Sequence, residues 1–165
     1  MFLGHERGSA IVFLAALEEA VRKAIESRLA VVGENSEKLI GGDESPGALG
    51  FSDQCRLAYC LGPFGKETLA DLKILARVRN RFAHGGRTVT FSDQRIQDLC
   101  GSLRVCDKFG NSVNWRRHLQ KHHLHFSADD ARSRYTTSTV ILTMALTKLS
   151  EQPPTRQEFG PALLD

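Results

Sequence analysis

Residues 66–84 read KETLADLKILARVRNRFAH, and this stretch decides the fold. Leu69, Leu72, Leu75, Ala76 and Phe82 recur at steps that line up on one side of an α-helix. Gly62-Pro63 breaks the chain before the stretch and Gly85-Gly86 follows it, so the spacing predicts a helix over Lys66–His84. Arg79 falls at the edge of the apolar stripe, where packing can hold its stem while its head reaches water. Asn80 and His84, four residues apart, share a face, which lets the amide hydrogen-bond the imidazole. Arg79 and His84 are five apart and on an ideal helix point roughly 140° from one another. Gly85 is expected to form a left-handed stop that leaves His84 in the last turn.

Outward from this helix, the other periodic segments are also helical. Ile11, Leu14, Ala15, Leu17, Val21, Ile25 and Leu29 form a stripe through a first helix of roughly 6–32, which needs a hairpin partner to cover it. Residues 35–40 read as a short helix, and 41–47, GGDESPG, as a loop. Ser52 or Asp53 can cap a helix running to about Leu61 that turns Cys55, Leu57, Ala58 and Leu61 inward. Residues 88–91, TVTF, are β-prone but too short and isolated for a sheet. Ser92-Asp93 can cap a helix through Ile96, Leu99, Leu103 and Cys106, and Tyr135 to Leu149 reads as a final buried helix despite its threonines. From Glu151, Pro153-Pro154 and Pro161 predict an extended tail. The expectation is an all-α, single-domain antiparallel bundle of about five or six helices over 1–150, followed by the tail 151–165.

Composition narrows the class. The 165 residues, 41% hydrophobic and 25% charged, suit one domain with a real core and exclude a wholly disordered chain. A formal charge of +3 is too mild to identify a nucleic-acid partner by itself. No run reaches the roughly 20 apolar residues of a membrane span, and the apolar run 10–17 passes straight into charged residues with no cleavage site. A cytoplasmic protein with no membrane association is expected. Cys55, Cys60, Cys100 and Cys106 fit no usual zinc spacing and read as reduced, mostly buried thiols, so neither metal nor cofactor is expected.

Arginine offers phosphate a planar fork of donors and histidine can carry a proton near neutral pH, so RNRFAH suits phosphodiester chemistry. The same residues also read as a capped helix with its charges in water. Three blocks add a resemblance: RGSAIVFLAALEE from Arg7, LGFSDQCRLAYCLG from Leu49 and DLKILARVRNRFAH from Asp71. In this order they resemble the mannitol operon repressor (MltR-like) family, which is similar in turn to the wider group of HEPN domains. The likeness runs from about Glu6 to about Leu103. It implies a HEPN-like fold and, as in many HEPN domains, a metal-independent endoribonuclease acting as a homodimer, with an antitoxin or regulatory protein as a further partner. It carries Arg79, Asn80 and His84 over as the catalytic set. Gly86 stands where some HEPN toxins have a tyrosine that an antitoxin modifies, so that mode of control is not implied. The repressor name implies the alternative, a non-catalytic transcriptional regulator, although no helix-turn-helix is recognisable.

Around the motif, Arg77, Arg81 and Arg87 are candidates to hold flanking phosphates of RNA. Beyond the resemblance, residues 108–128 carry no acidic residue and hold Trp115, Arg116, Arg117, Lys121 and four histidines. Arg116, Arg117 and Lys121 can form a phosphate track with Trp115 as a stacking surface. His118, His122, His123 and His125 can alternatively bind metal, and the whole segment can equally be a solvated basic hairpin. Glu6, Arg7 and Arg56 can approach the Arg79–His84 end in the folded bundle, but are read as structural, Glu6 favouring the helix N-terminus through its charge and Arg56 in an ion pair.

Overall fold

Lys66–His84 forms the predicted helix without a residue's difference at either end. The structure, a computed structural model, describes residues 3–29, 32–41, 47–85, 89–109, 112, 117, 127 and 129–151, with side chains from residue 6. Arg87, Arg116, Lys121, Trp115, the four histidines of 118–125 and the tail after Glu151 lie outside the described residues. In chain order the described helices are α1 (Leu3–Glu26), α2 (Glu34–Ile40), α3 (Phe51–Cys60), α4 (Lys66–His84), α5 (Gln94–Gly101), α6 (Val105–Phe109) and α7 (Ala131–Ser150). No strand occurs among the described residues, and the chain is an all-α bundle.

The stripe on α1 is buried as expected at Leu14, Leu17, Val21 and Ile25, joined by Ala10, Ala20 and Ala24, whereas Ala15 is exposed. Its main cover differs from the expectation. α1 packs most extensively on α7, the last helix, and next on α4 and α3. A hairpin neighbour is ruled out by length: α2 has 7 residues against 24 in α1, roughly 10 Å against 36 Å of axis. α1 also ends earlier than read, at Glu26, where Arg28 and Leu29 donate to the carbonyls of Ile25 and Glu26 in tighter three-residue turns and the Ser27 hydroxyl takes the Ala24 carbonyl at 3.0 Å. α1 and α4 run antiparallel: Arg7 reaches Ala83 and, further along α1, Glu18 reaches back to Arg79.

Two threonines of α7 pair within their own helix: Thr139 Oγ1 donates to the Tyr135 carbonyl and Thr143 Oγ1 to the Thr139 carbonyl, both at 2.8 Å. Asp130 caps its start by accepting the Ser133 N–H. Tyr135 donates to the Ala10 carbonyl at 2.8 Å, and burial pushes its phenol well above the ordinary value. A row of rings, Phe82 to Phe91 at 4.7 Å and Phe91 to Tyr135 at 5.6 Å, joins α4 to α7. Burial of each such ring contributes roughly 1.5–3 kcal/mol.

The helix expected to continue from Asp93 through Cys106 is instead two, α5 and α6. The cause lies outside the segment. Asp71, 2% exposed on α4, accepts the Arg104 N–H at 3.2 Å and the Val105 N–H at 2.8 Å, supplying an N-terminal cap for α6. Arg134, 8% exposed on α7, donates to the carbonyls of Cys100 (2.8 Å), Gly101 (3.2 Å) and Leu103 (2.7 Å), closing the end of α5. Its Nη1 donates to Asp107 Oδ1 at 2.7 Å. Burial raises the Asp71 carboxyl above the ordinary value, against the pull of the two backbone N–H groups. No described helix is long and apolar enough to cross a membrane.

Candidate functional site

The last two turns of α4 are fixed from beneath and from the side. Phe82 is fully buried against Phe91, so the backbone that carries Arg79, Asn80, Arg81 and His84 rests on the aromatic row. Arg7 donates to the Ala83 carbonyl at 2.8 Å, and Glu6 accepts the Phe91 N–H at 3.1 Å. Both residues thus approach the motif end, the alternative to a role at their own helix terminus. Arg56 pairs with Asp53 at 2.5 Å, as read.

Gly85 is not left-handed. Its φ of −79° and ψ of 8° are open to any residue, and its N–H closes the helix on the Arg81 carbonyl at 2.7 Å. Glycine is needed there for size: a Cβ would lie 2.4 Å from both the Arg81 oxygen and Val89 Cγ2.

The motif opens onto two spaces that meet at Asn80. On one flank, Arg79 is half-buried, with Nη2 3.6 Å from Glu18 Oε1 and Nη1 donating to Asn80 Oδ1 at 3.1 Å. It lines a pocket of about 410 Å³ between α1, α4 and the start of α3. On the other flank, exposed His84 lines a broad groove of about 790 Å³ with Arg77 and Arg81 of α4 and Arg95 and Asp98 of α5. Asn80 borders both. The expected hydrogen bond between Asn80 and His84 is not made; the Asn80 oxygen instead accepts from its neighbour Arg79.

Of the catalytic set, then, Asn80 and His84 share the groove and Arg79 faces away, as helical geometry requires. Arg77 and Arg81 are brought to His84, whereas Arg117 is exposed and outside both spaces. Sequence reading missed three residues of this region. Arg95 carries no signal of its own in the periodicity of α5, which marks only the apolar positions. Glu18 and Gln54 lie within the first two blocks, and the pocket draws residues from all three, among them Glu18, Gln54 and Arg79.

The electrostatics of the two spaces differ. The groove sets Arg77, Arg81 and Arg95 against the one carboxylate of Asp98, which is itself engaged by Gln94 at 2.9 Å. The pocket balances Arg22 and Arg79 with Glu18 and Glu19, and the short pairing with Arg22 holds the Glu19 carboxyl below the usual range. Cys55, Cys100 and Cys106 are buried and Cys60 is exposed, all as free thiols. Burial pushes Cys55 and Cys100 up to about 12, which makes them unreactive. Among the described residues no cluster of three or more histidine, cysteine or carboxylate side chains is arranged to hold a metal ion.

Comparison of the chain with protein-family models, with curated proteins and with solved structures gives no match. The resemblance to the mannitol operon repressor family therefore rests on its three sequence blocks.

Proposed function

We propose that this chain is a HEPN-like, metal-independent endoribonuclease whose cleavage centre is completed by two copies. The observation that carries the reading is the α4–α5 groove, where His84 stands among Arg77, Arg81 and Arg95, a proton carrier beside three phosphate-binding forks. Arg79 and His84 of one chain face different spaces, so a homodimer is the arrangement that lets an Arg79 and a His84 act on one phosphate.

In this chemistry one His84 takes the proton of a ribose 2′-hydroxyl, and the freed oxygen attacks the neighbouring phosphorus. The bond from phosphorus to the 5′-oxygen breaks, and a protonated His84 of the second copy gives its proton to that oxygen. The products are a 2′,3′-cyclic phosphate and a 5′-hydroxyl. Arg79 stabilises the charge growing on the non-bridging oxygens, Asn80 orients the arginine it is bonded to, and Arg77 and Arg81 hold flanking phosphates. Such a protein works in the cytoplasm, with an antitoxin or regulatory protein to restrain it.

The test is cleavage of a labelled RNA panel in EDTA by wild type, Arg79→Ala and His84→Ala, with folding checked by circular dichroism. Cleavage by wild type alone supports the reading. Equal or absent activity in all three rejects it.

The engagement of Arg79 by Glu18 favours a second reading, a non-catalytic MltR-like regulator that binds a protein or nucleic acid. A salt-sensitive gel shift with the promoter of a neighbouring sugar-transport operon supports direct operator binding, and its absence leaves a protein partner.

A further inference from the structure

We infer that the pocket between α1, α3 and α4 binds a nucleobase with the hydrogen-bonding edge of guanine, an inference that rests on the RNA reading above and names the base read beside the cleaved bond. The observation is Gln54, 5% exposed at the pocket wall. Both hydrogens of its amide are committed, to the Ile40 carbonyl at 3.3 Å and the Leu49 carbonyl at 2.8 Å, which fixes the amide's orientation. Among the described residues its Oε1 accepts no hydrogen bond. A largely buried side chain whose amide orientation is fixed presents its remaining acceptor, Oε1, as a group suited to recognise a donor at the wall of the pocket.

The surroundings define that donor's owner. Glu18 adds a second acceptor, Arg79 and the Asn80 amide supply donors, and Leu14 and Phe51 contribute apolar walls. Guanine presents N1–H and an exocyclic amino group as donors, with O6 and N7 as adjacent acceptors. The donors match Gln54 Oε1 and Glu18, while O6 can accept from the Asn80 amide. Uracil lacks the amino group, and adenine lacks the ring N–H. At about 410 Å³ the pocket is of ligand-binding size. Because Asn80 borders both spaces, a base seated here places its phosphate at the boundary with the His84 groove.

The experiment is calorimetric binding of GMP, AMP, CMP and UMP to the full chain in EDTA, alongside mapping of cut sites in a random-sequence RNA. Gln54→Leu removes the acceptor but also strands two buried carbonyls, so it is paired with Ala15→Phe, which fills the pocket mouth from the exposed side of α1 without touching them. The expected result is a preference for GMP over UMP of roughly 10- to 100-fold, abolished by Ala15→Phe and by folded Gln54→Leu. Equal or absent binding of the four nucleotides, or a preference that survives Ala15→Phe, overturns the inference. RNA cut without regard to base overturns it while leaving the nuclease reading intact. A GMP preference without any cleavage supports the pocket and removes the nuclease.

Discussion

The joint between α5 and α6 and the end of α4 both concentrate charge, yet they are built in opposite ways. At the joint, Asp71 and Arg134 are almost wholly buried and matched to backbone groups, Asp71 to two N–H groups and Arg134 to three carbonyls. At the end of α4, Arg77, Arg81, His84 and Arg95 are exposed around an open groove. Buried charge matched to backbone termini builds the fold, whereas clustered charge facing water is available for a ligand. Substitution should separate the two regions by what is lost: stability at the first, activity at the second.

The largest loss of stability is expected for Arg134→Leu. It leaves three carbonyls at the end of α5 without their donor and removes the anchor of Asp107, at a cost of about 3 kcal/mol in urea unfolding. A cost under about 0.5 kcal/mol would mean that the joint holds without its guanidinium. Gly85→Ala comes next, because the added Cβ meets the Arg81 carbonyl and Val89. Relief by local shifts costs about 1–2 kcal/mol, read as a lowered thermal midpoint.

Asp71→Asn sharpens the contrast through pH. The carboxyl is raised in the folded chain, so between its unfolded value near 3.8 and its higher folded value the native state holds more proton than the unfolded one. The stability contributed by Asp71 is therefore greatest below the unfolded value and declines as pH rises through the folded one. Wild type should lose ground to Asp71→Asn across that window, with a total difference of about 1 kcal/mol in paired urea titrations. A difference independent of pH would show that Asp71 does not titrate across it. The smallest stability effects belong to Arg79→Ala and His84→Ala, each within about 0.5 kcal/mol of wild type, although RNA cleavage should fall by about 100-fold or more in both.

The contrast also explains what was readable in the chain. α4 was legible to the residue because its stripe lies within the segment and its glycine borders directly flank it. The break after Gly101 was not, because the groups that impose it, Asp71 and Arg134, lie 33 or 34 residues away in sequence. The cover of α1 by α7 was hidden for the same reason, as its marker contact joins Ala10 to Tyr135. At the site, helical rotation alone foretold that Arg79 and His84 diverge. It gave no view of Arg95 or Gln54, which reach their places through tertiary packing.

The contact between Tyr135 and Ala10 also sets an order of events. RNRFAH leaves the ribosome about fifty residues before Tyr135, the ring that completes the row under Phe82 and covers the start of α1. A nascent chain that already displays the motif still lacks part of its support, and a fragment ending before α7 leaves α1 without its most extensive cover. Translation therefore finishes the outer ring of this row last, and the motif gains its rigid footing only when nearly the whole described fold is in place.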